Sequence, residues 1–278
     1  MNGTEFLFST LERISVPSRD DGTRFIDERR RDEIRRIVDS TVFFPVTDDD
    51  FLYVVNASDD GKGSTVLISC HIDDVCGENL WVERAGEGVR GTLDNNASIA
   101  ALLGAMKEDI LPPNTYIAFT GDEEDEGRGA EKTMTFLKER KSEIFERLEL
   151  VIVADVSAAG WGHDVTLENF SFRNEQLLPM ITHALKKNNV AYGIIPPECS
   201  LPDESDIYKG FDLNVFALCL PVHVLCESGN GCDLALCENG RIKEHCTKGI
   251  ETTFRKMQMM QHALSVVCSV IYRLSYTP

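Results

Sequence analysis

The chain has 278 residues, 42% of them hydrophobic, and carries 28 Lys and Arg against 46 Asp and Glu for a net charge of −18. So acidic a polypeptide disfavours nucleic acid and anionic membrane as partners, and its length suits one α/β domain with a large core, read here as spanning 1–278. No run approaches the roughly 18 apolar residues of a membrane span, the N-terminus has no basic segment leading into an apolar one, and nine cysteines are too sparse for a disulfide scaffold; the expected compartment is the cytoplasm.

In chain order, Gly3 to Ile14 and the heavily charged Glu28 to Val38 have helical spacing. Thr41 to Val46 and Phe51 to Asn56 are expected as strands joined by the acidic turn Thr47-Asp48-Asp49-Asp50, and Gly61 to Ser64 as a loop. TVLISC (Thr65 to Cys70) is a buried strand, Asn95 to Met106 an Ala/Leu-rich helix, and TYIAFT (Thr115 to Thr120) another strand. Ala130 to Leu148 has helical periodicity, LVIVA (Leu150 to Ala154) is a core strand, and Gln176 to Lys187 a helix. LNVFALCL (Leu213 to Leu220) is a strand stopped by Pro221, and a long helix closes the chain over Lys248 to Leu274. Strands separated by helices imply a three-layer α/β/α sandwich around a mostly parallel, mixed sheet.

In such a sheet ligands bind beyond the carboxyl ends of the strands. Three apolar strands deliver metal-type side chains there: His71 follows TVLISC, Glu123 and Glu124 follow TYIAFT-Gly-Asp, and Asp155 follows LVIVA. His71 and Asp73 share a face of extended chain, so Asp73 is placed to hold the imidazole. Of the adjacent carboxylates Glu123 and Glu124, one would ligate metal and the other carry a proton. Taken singly, each has a bland reading: a surface turn at His71, a helix cap at Asp94 or Asn95, a solvated acidic loop at Glu123-Glu124, a plain strand end at Asp155, a surface histidine at His245. Their joint occurrence in this order favours a two-metal hydrolase.

HIDDVCG, GTLDNNASIAALL, TGDEEDEGRGA, LVIVADVS and a late His before the terminal helix resemble the zinc-dependent exopeptidase superfamily, which includes leucyl-type aminopeptidases, glutamate carboxypeptidases and glutaminyl cyclases. The resemblance runs from about residue 65 to the C-terminus. It implies two zinc ions, with Co²⁺ or Mn²⁺ also suited to N/O ligation. It puts His71 and Asp155 on one metal, Glu124 and His245 on the other, Asp94 bridging both, Glu123 as general acid/base and Asp73 supporting His71; a non-proline cis peptide is implied after Asp94. One departure stands out: relatives have Gly two residues after the Glu pair, where this chain has Glu126 and then Gly127.

The 22 residues between His71 and Asp94, and the 89 between Asp155 and His245, fit the compact aminopeptidase-like branch of that superfamily. His223 is the main rival to His245 as the late ligand, whereas His163, His183 and His262 are expected to have no catalytic part. Asp206, in a Ser-Asp stretch like one the family uses to support its site, is a supporting candidate, with a helix cap as the plainer reading. Cys226, Cys232 and Cys237 lack the spacing of a zinc knuckle and are expected as free thiols. The expected function is di-zinc removal of N-terminal residues from peptides. The alternatives are a zinc amidohydrolase or deacylase on a small acylated molecule, and a non-catalytic binding protein of the same fold. The expected partner is a peptide or small amide; nothing in the sequence specifies an oligomeric state.

Overall fold

Continuous apolar runs read as buried parallel strands because both faces of such a strand are covered, and four of them form the centre of the sheet. The computed structural model describes residues 2–15, 28–49, 51–74, 80–124, 126–225 and 249–276. Its main sheet contains β1 (Phe44–Asp49), β2 (Leu52–Asn56), β3 (Thr65–His71), β6 (Thr115–Thr120), β7 (Leu148–Ser157), β8 (Val165–Ser171), β9 (Tyr192–Ile194) and β10 (Asn214–Pro221), in the order β1-β2-β6-β3-β7-β10-β8-β9. The strands β6, β3, β7 and β10 run parallel, while β2 joins β6 and β8 joins β10 antiparallel.

Helices cover both faces. Ile68, Ile117, Ile152 and Phe216 pack with α1 (Gly3–Ile14), α2 (Glu28–Val38), α3 (Asn96–Lys107), α6 (Leu177–Lys187) and α8 (Phe254–Leu274). Leu67, Ala118, Val153 and Ala217 pack on the other side with α4 (Arg128–Arg140), the short α5 (Ser142–Phe145) and α7 (Ser205–Lys209). The expected mixed three-layer architecture is the one observed. Among the described residues, no helix is long and apolar enough to cross a membrane.

Several expectations change. The expected acidic turn is largely strand: β1 continues through Asp48 and Asp49, paired with Tyr53 and Leu52. Its charges are met from α2, where Arg31 and Arg35 reach Asp48 and Arg31 also donates to the Asp49 carbonyl. The helix expected over Ala130 to Leu148 is broken at Lys141, whose φ is −139°, and β7 already starts at Leu148.

The closing helix begins at Phe254. Ile250–Thr253 (β12) is strand, and Thr253 then caps α8 by accepting from Lys256 N at 3.1 Å. β12 belongs to a small second sheet, ordered β11 (His223–Val224), β12, β5 (Gly88–Gly91) and β4 (Val82–Ala85). A Cβ on Gly88 would come within 2.3 Å of the Thr252 carbonyl oxygen, so this close pairing requires glycine there.

Candidate metal centre

The parallel strands β6, β3 and β7 lie side by side, so their carboxyl ends share one edge of the main sheet. His71 is the last residue of β3 and is buried, at 2% exposure. Its Nε2 lies 3.5 Å from Asp94 Oδ1 and 3.5 Å from Asp155 Oδ1, and its Nδ1 lies 3.5 Å from Asp73 Oδ1. Ligand atoms of His71, Asp94 and Glu124 all fall within 4.8 Å of one another. Two donors on one tetrahedral zinc, each at about 2.0–2.2 Å, stand roughly 3.3–3.6 Å apart. The Nε2 separations from Asp94 and Asp155 match those of donors that could share one ion, while Asp73 approaches the ring from its Nδ1 side.

The electrostatics agree. Burial opposes charging His71, yet Glu123 and Asp155 outweigh it and hold the imidazole pKa well above its ordinary value. Burial raises Glu123 and Glu124, and neighbouring carboxylates raise them further: Asp155 beside Glu123, Asp94 beside Glu124. Asp155 is likewise raised, first by burial. A buried imidazole surrounded by five carboxylates, Asp73, Asp94, Glu123, Glu124 and Asp155, carries surplus negative charge that a divalent cation would neutralise, and the donor set fits zinc.

The backbone positions these groups through side chains that bear no metal-type role. The Asp94-Asn95 peptide is cis, as the resemblance implied. Asn95 makes no side-chain cap for α3; its amide instead donates to the Ala154 carbonyl at 2.8 Å, holding the Asp94 loop against β7 next to Asp155. Asp73 Oδ2 accepts from Glu124 N at 3.2 Å, linking the segment after β3 to the one after β6. Asp122 adopts φ +69° and is held by two bonds from Arg128, at 2.6 and 2.8 Å, which fixes the start of the Glu123-Glu124 loop. Gly127, with φ +67°, directly precedes α4, so the glycine shifted by Glu126 still serves the turn into that helix.

Two buried polar groups here escaped the sequence reading. Arg30, on charged α2, is 1% exposed: it donates to the Ile14 carbonyl at 3.0 Å, to the Ile72 carbonyl, and to Asp74 at 2.6 Å. Glu204 is fully enclosed beneath the cluster. It accepts from Ser69 at 2.6 Å, and burial pushes its carboxyl up to about 7. The dense charge of α2 signals a solvated face, and only tertiary packing shows that one arginine turns inward.

Of the expected ligands, His71, Asp94, Glu124 and Asp155 come together, with Glu123 and Asp73 beside them. His245 and the Cys226, Cys232 and Cys237 cluster lie outside the described residues. His223 does not join the cluster; its ring lies against Trp161 at a 42° tilt, with centroids 3.8 Å apart. Asp206 is exposed, pairing with Lys209 at 2.7 Å, and it is Asp203 that caps this turn by accepting from Ser205 N. Beside the cluster opens a cavity of about 300 Å³, reaching Glu168, Asp203 and Cys219.

No protein-family model and no curated protein matches the sequence. Solved structures do match. An aminopeptidase from the archaeon Desulfurococcus kamchatkensis superposes with a TM-score of 0.68 at 10% identity, over 98% of this chain and 96% of its own. Aminopeptidase PepT from Bacillus cereus gives 0.64 at 10% identity, over 97% and 99%. A protein described as an endoglucanase from Thermotoga maritima gives 0.63 at 12% identity, over 99% of both chains. The fold is thus shared with these structures. Since different activities are named for it, the reaction must be argued from the side chains.

Proposed function

We propose that the chain is a co-catalytic metallo-aminopeptidase that removes residues from the free amino end of peptides. The observation that carries this reading is a buried His71 whose Nε2 stands 3.5 Å from both Asp94 and Asp155, with Glu123 and Glu124 at the same strand edge. In this reading His71, Asp94, Glu124, Asp155 and His245 would hold the zinc. Bound zinc supplies a Lewis acid for the scissile carbonyl and lowers the pKa of water. Glu123 takes the proton from the attacking water as its oxygen adds to the carbonyl carbon. It returns that proton to the departing amine nitrogen as the C–N bond breaks. Asp73 keeps His71 oriented from its Nδ1 side. The carboxylate-rich cavity suits an ammonium group, which favours the amino end of a peptide over its carboxylate end, and the archaeal and Bacillus aminopeptidases of this fold lend the reading support.

The test incubates the zinc-loaded protein with free-amine peptides and with their N-acetylated and C-amidated versions, read by mass spectrometry beside a chelator-treated control. The expected result is stepwise trimming of free-amine and C-amidated peptides, abolished by the chelator and by N-acetylation. Cleavage of acylated compounds alone would replace the reading with a deacylase. Trimming that survives complete metal removal would reject the metal centre.

A further inference from the structure

The cavity beside the cluster extends past the ligand-type residues to a second pair of carboxylates. Glu168, at 4% exposure, and Cys219, at 3%, are its most buried outlying residues, whereas Leu201 at the rim is 55% exposed. Glu168 projects from β8, opposite Ala217 of β10, and bonds the Thr166 hydroxyl on its own strand. Asp203 accepts from Ser205 N at 2.7 Å and from the Asn169 amide at 2.9 Å. These partners are all neutral, and neither carboxylate forms an ion pair among the described residues. Lys209 acts on Asp203 only at longer range, its ammonium being 2.7 Å from Asp206.

Glu168 and Asp203 are the carboxylates that line the recess beyond Asp94, Glu123, Glu124 and Asp155, and they lie close enough to Asp155 to act on it and on each other. A buried carboxylate without a cation is costly, so the occupant that fits this recess brings one. Val156, Ala158 and Pro202 add apolar lining to the same recess, suited to the methylene stem of a long cationic side chain. Burial holds both carboxyls above their ordinary range, and a cation in the recess relieves that penalty.

We propose that Glu168 and Asp203 form the specificity end of the substrate recess and select peptides whose first residue is lysine or arginine. This rests on the aminopeptidase reading above and names its substrate class. A glutamate side chain would meet two like charges, and a neutral one would leave both carboxylates without a cation, so the same pair also rejects wrong substrates.

The experiment uses the full-length, zinc-loaded protein and peptides differing only in the first residue: arginine, its neutral isostere citrulline, lysine, norleucine and glutamate. In parallel, calorimetry measures binding of argininamide, citrullinamide and N-acetylargininamide. The expected kcat/KM for arginine and lysine exceeds that for citrulline and norleucine on the order of a hundredfold, the scale of a buried charge pair losing one member. Glu168→Gln and Asp203→Asn, made separately so that a folding defect in one leaves the other informative, each compress that ratio severalfold or more.

Equal turnover of arginine and citrulline peptides overturns the proposal and leaves the aminopeptidase reading intact. Should no peptide be cleaved, the aminopeptidase reading fails. Binding then decides: argininamide tighter than citrullinamide on the order of a hundredfold, a preference lost in the variants, supports the cation recess, and equal affinity overturns it. Affinity lost on N-acetylation but kept by citrullinamide would assign the carboxylates to the α-ammonium group and also overturn the proposal.

Discussion

At the scale of single residues, Glu123 and Glu124 are neighbours with the same charge in the same buried environment, yet they meet different groups. Glu124 reaches the ligand atoms of His71 and Asp94, and its backbone N–H is fixed by Asp73. Glu123 stands outside that set, with Asp155 the strongest carboxylate acting on it. Replacing each with glutamine separates their roles because shape is kept and charge is lost. Glu123→Gln is expected to lower kcat by about 10²–10⁴-fold, the usual worth of a positioned acid–base group, with metal content unchanged. Glu124→Gln is expected to lose bound metal, as counted by native mass spectrometry. Wild-type turnover in the first variant, or full metal content in the second, would reverse the assignment. The pair itself was legible in the sequence because it follows an apolar strand; the division of labour depends on which way each side chain turns.

At the scale of elements, the strands that carry the ligands were readable because a buried parallel strand is apolar on both faces, as in TVLISC, TYIAFT and LVIVA. The second sheet was not, since its strands have four residues or fewer and come from three distant parts of the chain. β1 was misplaced because its aspartates look like a turn until Arg31 and Arg35 of α2 are packed against it. The same helix hides Arg30, which joins the end of α1 to the segment just after His71. Arg30→Met would leave two carbonyls and Asp74 without their cation in a closed interior. The expected cost is roughly 3–5 kcal/mol, the range for breaking a buried ion pair, measured as a lower urea midpoint. Because Arg30 grips Ile72 and Asp74, metal affinity should fall as well. A loss of unfolding free energy below about 1 kcal/mol, the usual worth of an exposed pair, would mean that the clamp contributes little to the fold.

At the scale of the whole molecule, a chain of net charge −18 concentrates carboxylates in its interior as well as on its surface. Without a bound cation this arrangement disfavours the folded state, and its pH dependence has a definite sign. Burial first, and carboxylate neighbours after it, push Asp155 up to about 6, Glu124 to about 8 and Glu123 to about 9, while His71 is also raised. Every one of these groups binds its proton more tightly folded than unfolded, so the folded state holds more protons than the unfolded chain across this range. Stability that is present at low pH is then lost as pH rises through the folded values. The metal-free protein should therefore show an unfolding midpoint that falls steadily from pH 6 to pH 9 at fixed ionic strength. Zinc loading should raise the midpoint and flatten the slope, because ligand carboxylates and imidazole are held deprotonated by the ion. Glutamine needs no proton on folding, whereas Glu123 must take one up at pH 8, so the metal-free Glu123→Gln protein should unfold at a higher midpoint than metal-free wild type at that pH, even though it is the less active protein. A metal-free midpoint that is flat or rises over this pH range, in protein verified as metal-free, would show that the carboxylates at the strand edge do not converge as the structure places them.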